Sequence, residues 1–201
     1  MREEYLRTEL PRATLLRAIY SRRQLYEVMV DFWSDHFSIS IDKAGVAPLK
    51  LLDDREVIRP YALGRFDELL WAVMRSPAML IYLDNQENHA GNPNENYARE
   101  LLELHTLGVN GGYTQRDVQE VARALTGWTV DDNYYRGQHR FAPEQHDDGV
   151  KIVLGQRLAA GGGEQDAERM HALVLAHPAT ARFVTANSCG ASTAMIHQQR
   201  Y

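Results

Sequence analysis

Residues 94–128 read NENYARELLELHTLGVNGGYTQRDVQEVARALTGW, and this stretch decides the fold class. Two runs with apolar residues three and four apart flank a glycine-rich turn, which is the pattern of two helices joined as an αα-hairpin. At ~100° per residue, Tyr97, Ala98, Leu101, Leu102 and Leu104 share one broad apolar face, with His105 near its centre. Asn96, Arg99, Glu103 and Thr106 point the other way, and Glu100 sits at the border. Asn94 is placed to cap this helix, and Glu95 and Asn96 suit its positive end. In the second run Thr114 and Asp117 form a capping box, Val118, Val121, Ala122 and Leu125 line one side, and Gly127 closes the helix.

Working outward, Ser21 and Gln24 predict a second capping box at the head of SRRQLYEVMVDFWSDHF (21–37). SISIDKAGVAPLK (38–50) alternates and then breaks at glycine and proline, which predicts a loop. Asp53 or Asp54 starts a short helix through REVIRPYAL, Gly64 separates it from FDELLWAVM, and Ser76-Pro77 launches AMLIYLD. Residues 129–160 turn to tyrosines, glycines and short β-branched pieces such as KIVLG, which predicts an irregular segment with a small β-hairpin near 134–158. EQDAERMHALVLA and the start at Pro178 predict the closing helices. The expected fold is mainly α: an irregular multi-helix domain over residues 1–184, containing the αα-hairpin. TANSCGASTAMIHQQRY (185–201) keeps no periodicity and is expected to be an unstructured tail.

With 44% hydrophobic and 24% charged residues and a net charge of −5, the chain belongs with ordinary globular proteins. It lacks the concentrated basic surface that nucleic acid requires. Its longest apolar stretches are too short to span a bilayer. The first residues, MREEYLRTELPR, are charged and are not a signal peptide, so the chain as written reads as cytoplasmic. The single cysteine excludes an internal disulfide.

Polar residues in apolar settings supply the candidate chemistry. His105 reads as a core imidazole. Glu100, at the edge of an apolar face, is costly to bury unless paired, and Arg59 or Arg123 are the partners expected from other segments. Asn94, Glu95 and Asn96 bring oxygens close in sequence to Asp84 and Asn85, without the spacing of a calcium loop. His36 follows Asp31 and Asp35; His146-Asp147 precedes Gly149 and Lys151. A divalent-metal centre could draw on His36, Asn94 and Asn96, or on His36 and His146 with a carboxylate, with Glu100, His146 and Asp147 as the catalytic candidates. GVNGG lacks the lysine and hydroxyl of a phosphate loop, and GGG (161–163) precedes acidic residues that repel phosphate.

Taken together, VMVDFWSDHFS, DREVIRPYALGRFDELL, SPAMLIYLDN, NENYARELLELHTLGVNGGYT, DVQEVARALTGW, HDDGVKIVLG and HPATARF resemble, in order, the bacterial domain-of-unknown-function family 1800. The resemblance implies a mostly helical protein, longer than this chain and often exported. It also implies an exported sulfatase-like protein, encoded nearby, as a partner. Tyr61 stands where relatives often carry histidine, and His105 where they often carry phenylalanine. After HPATARF the chain leaves the pattern, so an internal fragment with a frameshifted or truncated C-terminus is expected. The expected reading is a family member of unestablished activity, a fragment that need not function alone; the alternatives are a metal-assisted hydrolase and a binding or assembly scaffold for the exported partner.

Overall fold

The computed structural model describes residues 2–131 and 137–198, with side chains over 4–131 and 137–188. Among the described residues the chain is mainly helical, with two small antiparallel strand pairs; residues 134–136 of the predicted hairpin segment lie outside the described residues. It divides into two compact units, Met1–Gln86 with Trp128–Arg140 and Glu87–Gly127 with Phe141–Tyr201. The sequence reading expected one domain over 1–184.

The first unit contains α1 (Arg2–Tyr20), α2 (Gln24–His36), α3 (Val46–Asp53), a π-helical turn over Asp54–Ile58, α4 (Arg59–Tyr61), α5 (Phe66–Met74) and α6 (Pro77–Tyr82). β1 (Trp128–Asp131) pairs with β2 (Gln138–Phe141). Trp33, Phe37, Ile58, Leu69, Leu70, Met74, Met79 and Leu80 are buried and form the core. Three local expectations are corrected. No capping box forms at Ser21: α2 begins at Gln24, whose Nε2 donates instead to the carbonyls of Ala18 and Ser21. α3 begins inside the predicted loop, because Gly45 at φ 78° turns the chain and Val46, Ala47 and Leu49 are buried from there. Ser76 does precede α6, but its hydroxyl does not cap it. It donates to buried Asp53 at 2.7 Å, and Lys50 donates to the other Asp53 oxygen at 2.9 Å, so the carboxylate ties α3 to α6.

In the second unit α7 (Asn96–Glu100) runs directly into a π-helical turn, Leu101–Thr106. α8 (Gln115–Ala124) follows, then the hairpin of β3 (Lys151–Val153) and β4 (Gln156–Leu158), α9 (Gln165–Ala176) and α10 (Pro178–Gln198). The Thr114–Asp117 capping box forms as expected: Asp117 N–H donates to Thr114 Oγ1 at 3.2 Å and Thr114 N–H to Asp117 Oδ2 at 2.8 Å. Lys151 pairs with Leu158 and Val153 with Gln156, around a turn with positive φ at both Leu154 and Gly155, the conformation that suits a two-residue hairpin. α10 runs through residue 185, where the sequence reading placed its tail boundary.

The π turn changes the first helix of the αα-hairpin. Leu107 N–H reaches back five residues to Leu102 O at 2.9 Å, and the wider turn advances each residue by less than the ~100° of an α-helix. Leu104, expected on the apolar face, is therefore 49% exposed, while Thr106, expected outward, is fully buried with its hydroxyl on Leu101 O at 2.6 Å. His105 stays buried, in keeping with the core reading. Among the described residues no helix is long and apolar enough to cross a membrane.

Candidate functional site

The second unit holds five of the six candidate residues, in two stretches of the chain. The first lies on the αα-hairpin. Asn94 Oδ1 accepts from Asn96 N–H at 2.9 Å, while Asn94 N–H donates to Asn88 Oδ1 at 2.9 Å. Glu95 Oε2 accepts from Arg99 Nη2 at 2.9 Å and from Gln115 Nε2 at 2.6 Å, and Arg99 also donates to Gln115 Oε1 at 3.1 Å. This triangle couples α7 to the head of α8 and holds the Arg99 guanidinium on Glu95.

Glu100 is left differently. The two cations expected for it are engaged elsewhere: Arg59 pairs with Glu27 and Asp54, and Arg123 with Glu120 and Asp147. Among the described residues no hydrogen bond or ion pair takes up its half-buried carboxyl. Desolvation raises its pKa, Glu103 raises it further, and Arg99 opposes both. Tyr113, following the turn at Gly112, is raised by burial and then by Glu103 and Glu100. Glu100, Glu103 and Tyr113 thus share one electronegative neighbourhood, in which a proton is held more tightly than in water.

The second group is built around His146 and Asp147, and buried His146 Nε2 and Asp166 Oδ1 have no hydrogen-bond partner among the described residues. Asp147 takes a two-pronged pair from Arg123, Nε to Oδ2 at 2.8 Å and Nη2 to Oδ1 at 3.0 Å, with Gly149 N–H adding a bond at 2.8 Å. The Arg123 hydrogen bond leads in holding the carboxyl down to about 2, against a desolvation that raises it. His146 Nδ1 lies 2.8 Å from Thr126 O, and its Nε2 is 3.4 Å from Asp166 Oδ2. Asp166, which the sequence offered as nothing more than an acidic first-turn residue, accepts from Lys151 Nζ at 2.7 Å, with both side chains fully buried. Lys151 also donates to the carbonyls of Asp147 and Gly149. The HDDGVK string therefore folds around one buried ammonium, an arrangement invisible without α9.

His36 belongs to the first unit, at the end of α2. Its ring lies 4.7 Å from Phe37 and 5.6 and 5.9 Å from Trp33 and Phe32. The donor set expected for a divalent ion, His36 with Asn94 and Asn96, is thus distributed over both units. Among the described residues no group of three histidine, cysteine, aspartate or glutamate side chains could hold a metal ion.

No curated protein and no solved structure matches the chain. One family profile does, over residues 2–188, and its span reaches past 184, where the sequence reading ended the resemblance. The order of motifs, the helical fold and this match agree, and the chain belongs to the family described as protein of unknown function, DUF1800.

Proposed function

We propose that Glu100 is the acid–base carboxyl of a hydrolytic site on the αα-hairpin. One observation carries the reading: a half-buried carboxyl with no ion pair or hydrogen bond among the described residues, next to Glu103 and Tyr113, while Arg99, its nearby cation, is held on Glu95 and Gln115. A general acid or base works best with its pKa moved toward the operating pH, and burial beside like charge moves a glutamate in that direction. Asn94 and Asn96 supply polar contacts at the head of the same helix. In this reading His146 and Asp147 hold the supporting structure: Asp147 is engaged by Arg123 and Gly149, and His146 is anchored through Nδ1 on Thr126. No step is assigned to a divalent ion: among the described residues no three histidine, cysteine, aspartate or glutamate side chains are grouped to hold one.

Glu100→Gln lowers kcat/KM on whichever chromogenic carboxylic, phosphate or sulfate ester the protein cleaves by ~10²–10⁴-fold, and Glu100→Asp retains part of it. In the ¹³C-NMR titration of the glutamate carboxyls, Glu100 is expected above the ordinary glutamate range. An ordinary titration, or unchanged turnover in Glu100→Gln, overturns the reading.

A second reading, an assembly scaffold for the exported sulfatase-like partner, is favoured by the apolar surface of α1. Leu15, Leu16, Ile19 and Tyr20 are exposed there, as is Leu25 at the start of α2. A contiguous exposed apolar surface on a folded protein is characteristic of a docking face. On this reading, Leu16→Asp with Ile19→Asp abolishes co-purification with the co-expressed partner without altering the circular dichroism. Retention of the partner by that variant argues against it.

A further inference from the structure

The first unit carries an open cleft of about 740 Å³ that none of the candidate residues touches. α5 contributes Glu68, Trp71 and Ala72, with Arg75 at its C-terminal cap; Tyr61 comes from α4, and Gly137, Gln138 and His139 from the start of β2. Arg75 is exposed, and its guanidinium carbon stands 5.7 Å from the centroid of the Trp71 ring. Trp71 is braced in turn by buried Trp128, edge to face at 5.5 Å, and Trp128 packs on His139 at 4.5 Å. A cation–π contact of this kind favours one placement of the guanidinium beside the ring, which lowers the freedom to be lost when a ligand arrives.

What the Arg75 fork meets is the informative point. Its Nε donates to His139 Nδ1 at 3.5 Å, and among the described residues no carboxylate pairs with its remaining nitrogens. His139 is neutral, its pKa driven down to about 4 by burial and then by Arg75. With Nδ1 accepting, the neutral ring carries its proton on Nε2, a buried donor with no acceptor among the described residues. The cleft therefore presents a positioned cation over an aromatic wall of Tyr61, Trp71 and His139. Glu68, from the first turn of α5, lines the same cleft and forms no ion pair with Arg75 among the described residues; its charge repels a dianion more than a monoanion.

We propose that this cleft binds a small organic carboxylate, with the carboxylate on the Arg75 fork and a flat apolar group against Trp71 and Tyr61. A planar fork matches the two oxygens of a carboxylate, and a mixed apolar and polar concavity is the ordinary form of a small-molecule site. The inference concerns the first unit and stands independently of the role proposed for Glu100.

The test titrates the full chain with sodium benzoate, followed by Trp fluorescence and the indole Nε1–H cross-peaks. Benzoate is expected to quench Trp71 saturably and shift its cross-peak, with Trp71→Phe removing the signal. Arg75→Gln weakens binding at least tenfold, and Arg75→Lys, which keeps the charge without the fork, weakens it severalfold. Phenol, which lacks the anion, and acetate, which lacks the ring, bind at least tenfold more weakly than benzoate. Phenyl phosphate binds more weakly as its second charge ionises. The inference fails if benzoate leaves Trp71 unperturbed, if phenol or phenyl phosphate matches it, or if both arginine variants bind it as the parent does. Should Arg75→Gln not fold, Arg75→Lys and the ligand series decide.

Discussion

Asp166→Asn is expected to lower the unfolding free energy by about 3–5 kcal/mol, the cost of stranding one member of a buried ion pair. Asp166 and Lys151 expose none of their side chains, and their 2.7 Å contact is the strongest compensation available to either charge. With the carboxylate neutralised, the ammonium keeps the carbonyls of Asp147 and Gly149 but no anion at contact distance, since the nearest Asp147 carboxylate oxygen is 4.0 Å away. Lys151→Met instead leaves the buried carboxylate with a single, longer cation contact, Arg169 Nη1 at 3.9 Å, and is expected to cost a similar amount or somewhat less. Replacing both, as Lys151→Met with Asp166→Leu, should recover most of the loss, because two apolar side chains remove both desolvation penalties together. Urea titration at neutral pH measures all three. A loss below about 1 kcal/mol in both single variants would show that water reaches the pair.

Gly127→Ala is expected to cost at least about 2–4 kcal/mol, combining left-handed backbone strain with overpacking. Gly127 has φ +79°, and a Cβ there would stand 2.6 Å from Ala142 O and 3.3 Å from His146 N, both backbone atoms. Neither can move alone, because Gly127 accepts from Ala142 N–H at 2.8 Å and donates to Asn88 O at 3.1 Å. Gly155→Ala is the internal comparison: φ is +76° there, yet nothing lies within 4 Å of the added carbon. Its cost should be about 1 kcal/mol, that of the backbone conformation alone. Equal losses in the two variants, by thermal or urea unfolding, would mean that the approach of Ala142 is relieved by local movement.

The fold was most legible where local chemistry and packing agree. Thr114 and Asp117 satisfy each other within four residues, so their box could be read directly, and the apolar spacing of α5 and α8 names the residues that are buried. Ser21 and Ser76 show the limit of that reasoning. Each has the residue type and spacing of a cap, but the Gln24 amide finds the carbonyls of α1 and the Ser76 hydroxyl finds buried Asp53. α1 itself was missed, because its apolar residues fall on no single stripe and it carries Pro11. Leu104 and Thr106 exchanged sides because a π turn is a property of packing and leaves no mark in a 3.6-residue spacing.

The candidate site divides in the same way. Sequence alone determined a mainly helical chain of this family, a hairpin of two helices, and the set of polar residues in apolar settings worth testing. Tertiary structure decided which of those residues remain chemically uncommitted. Pairing depends on charges from distant segments: Lys151 and Arg123 were drawn to Asp166 and Asp147, and Arg59 to Glu27, which left Glu100 without the cation its burial invites. Hydrophobic periodicity is local and survives in the sequence, whereas the neutralisation of a buried charge is settled only when the chain has folded around it.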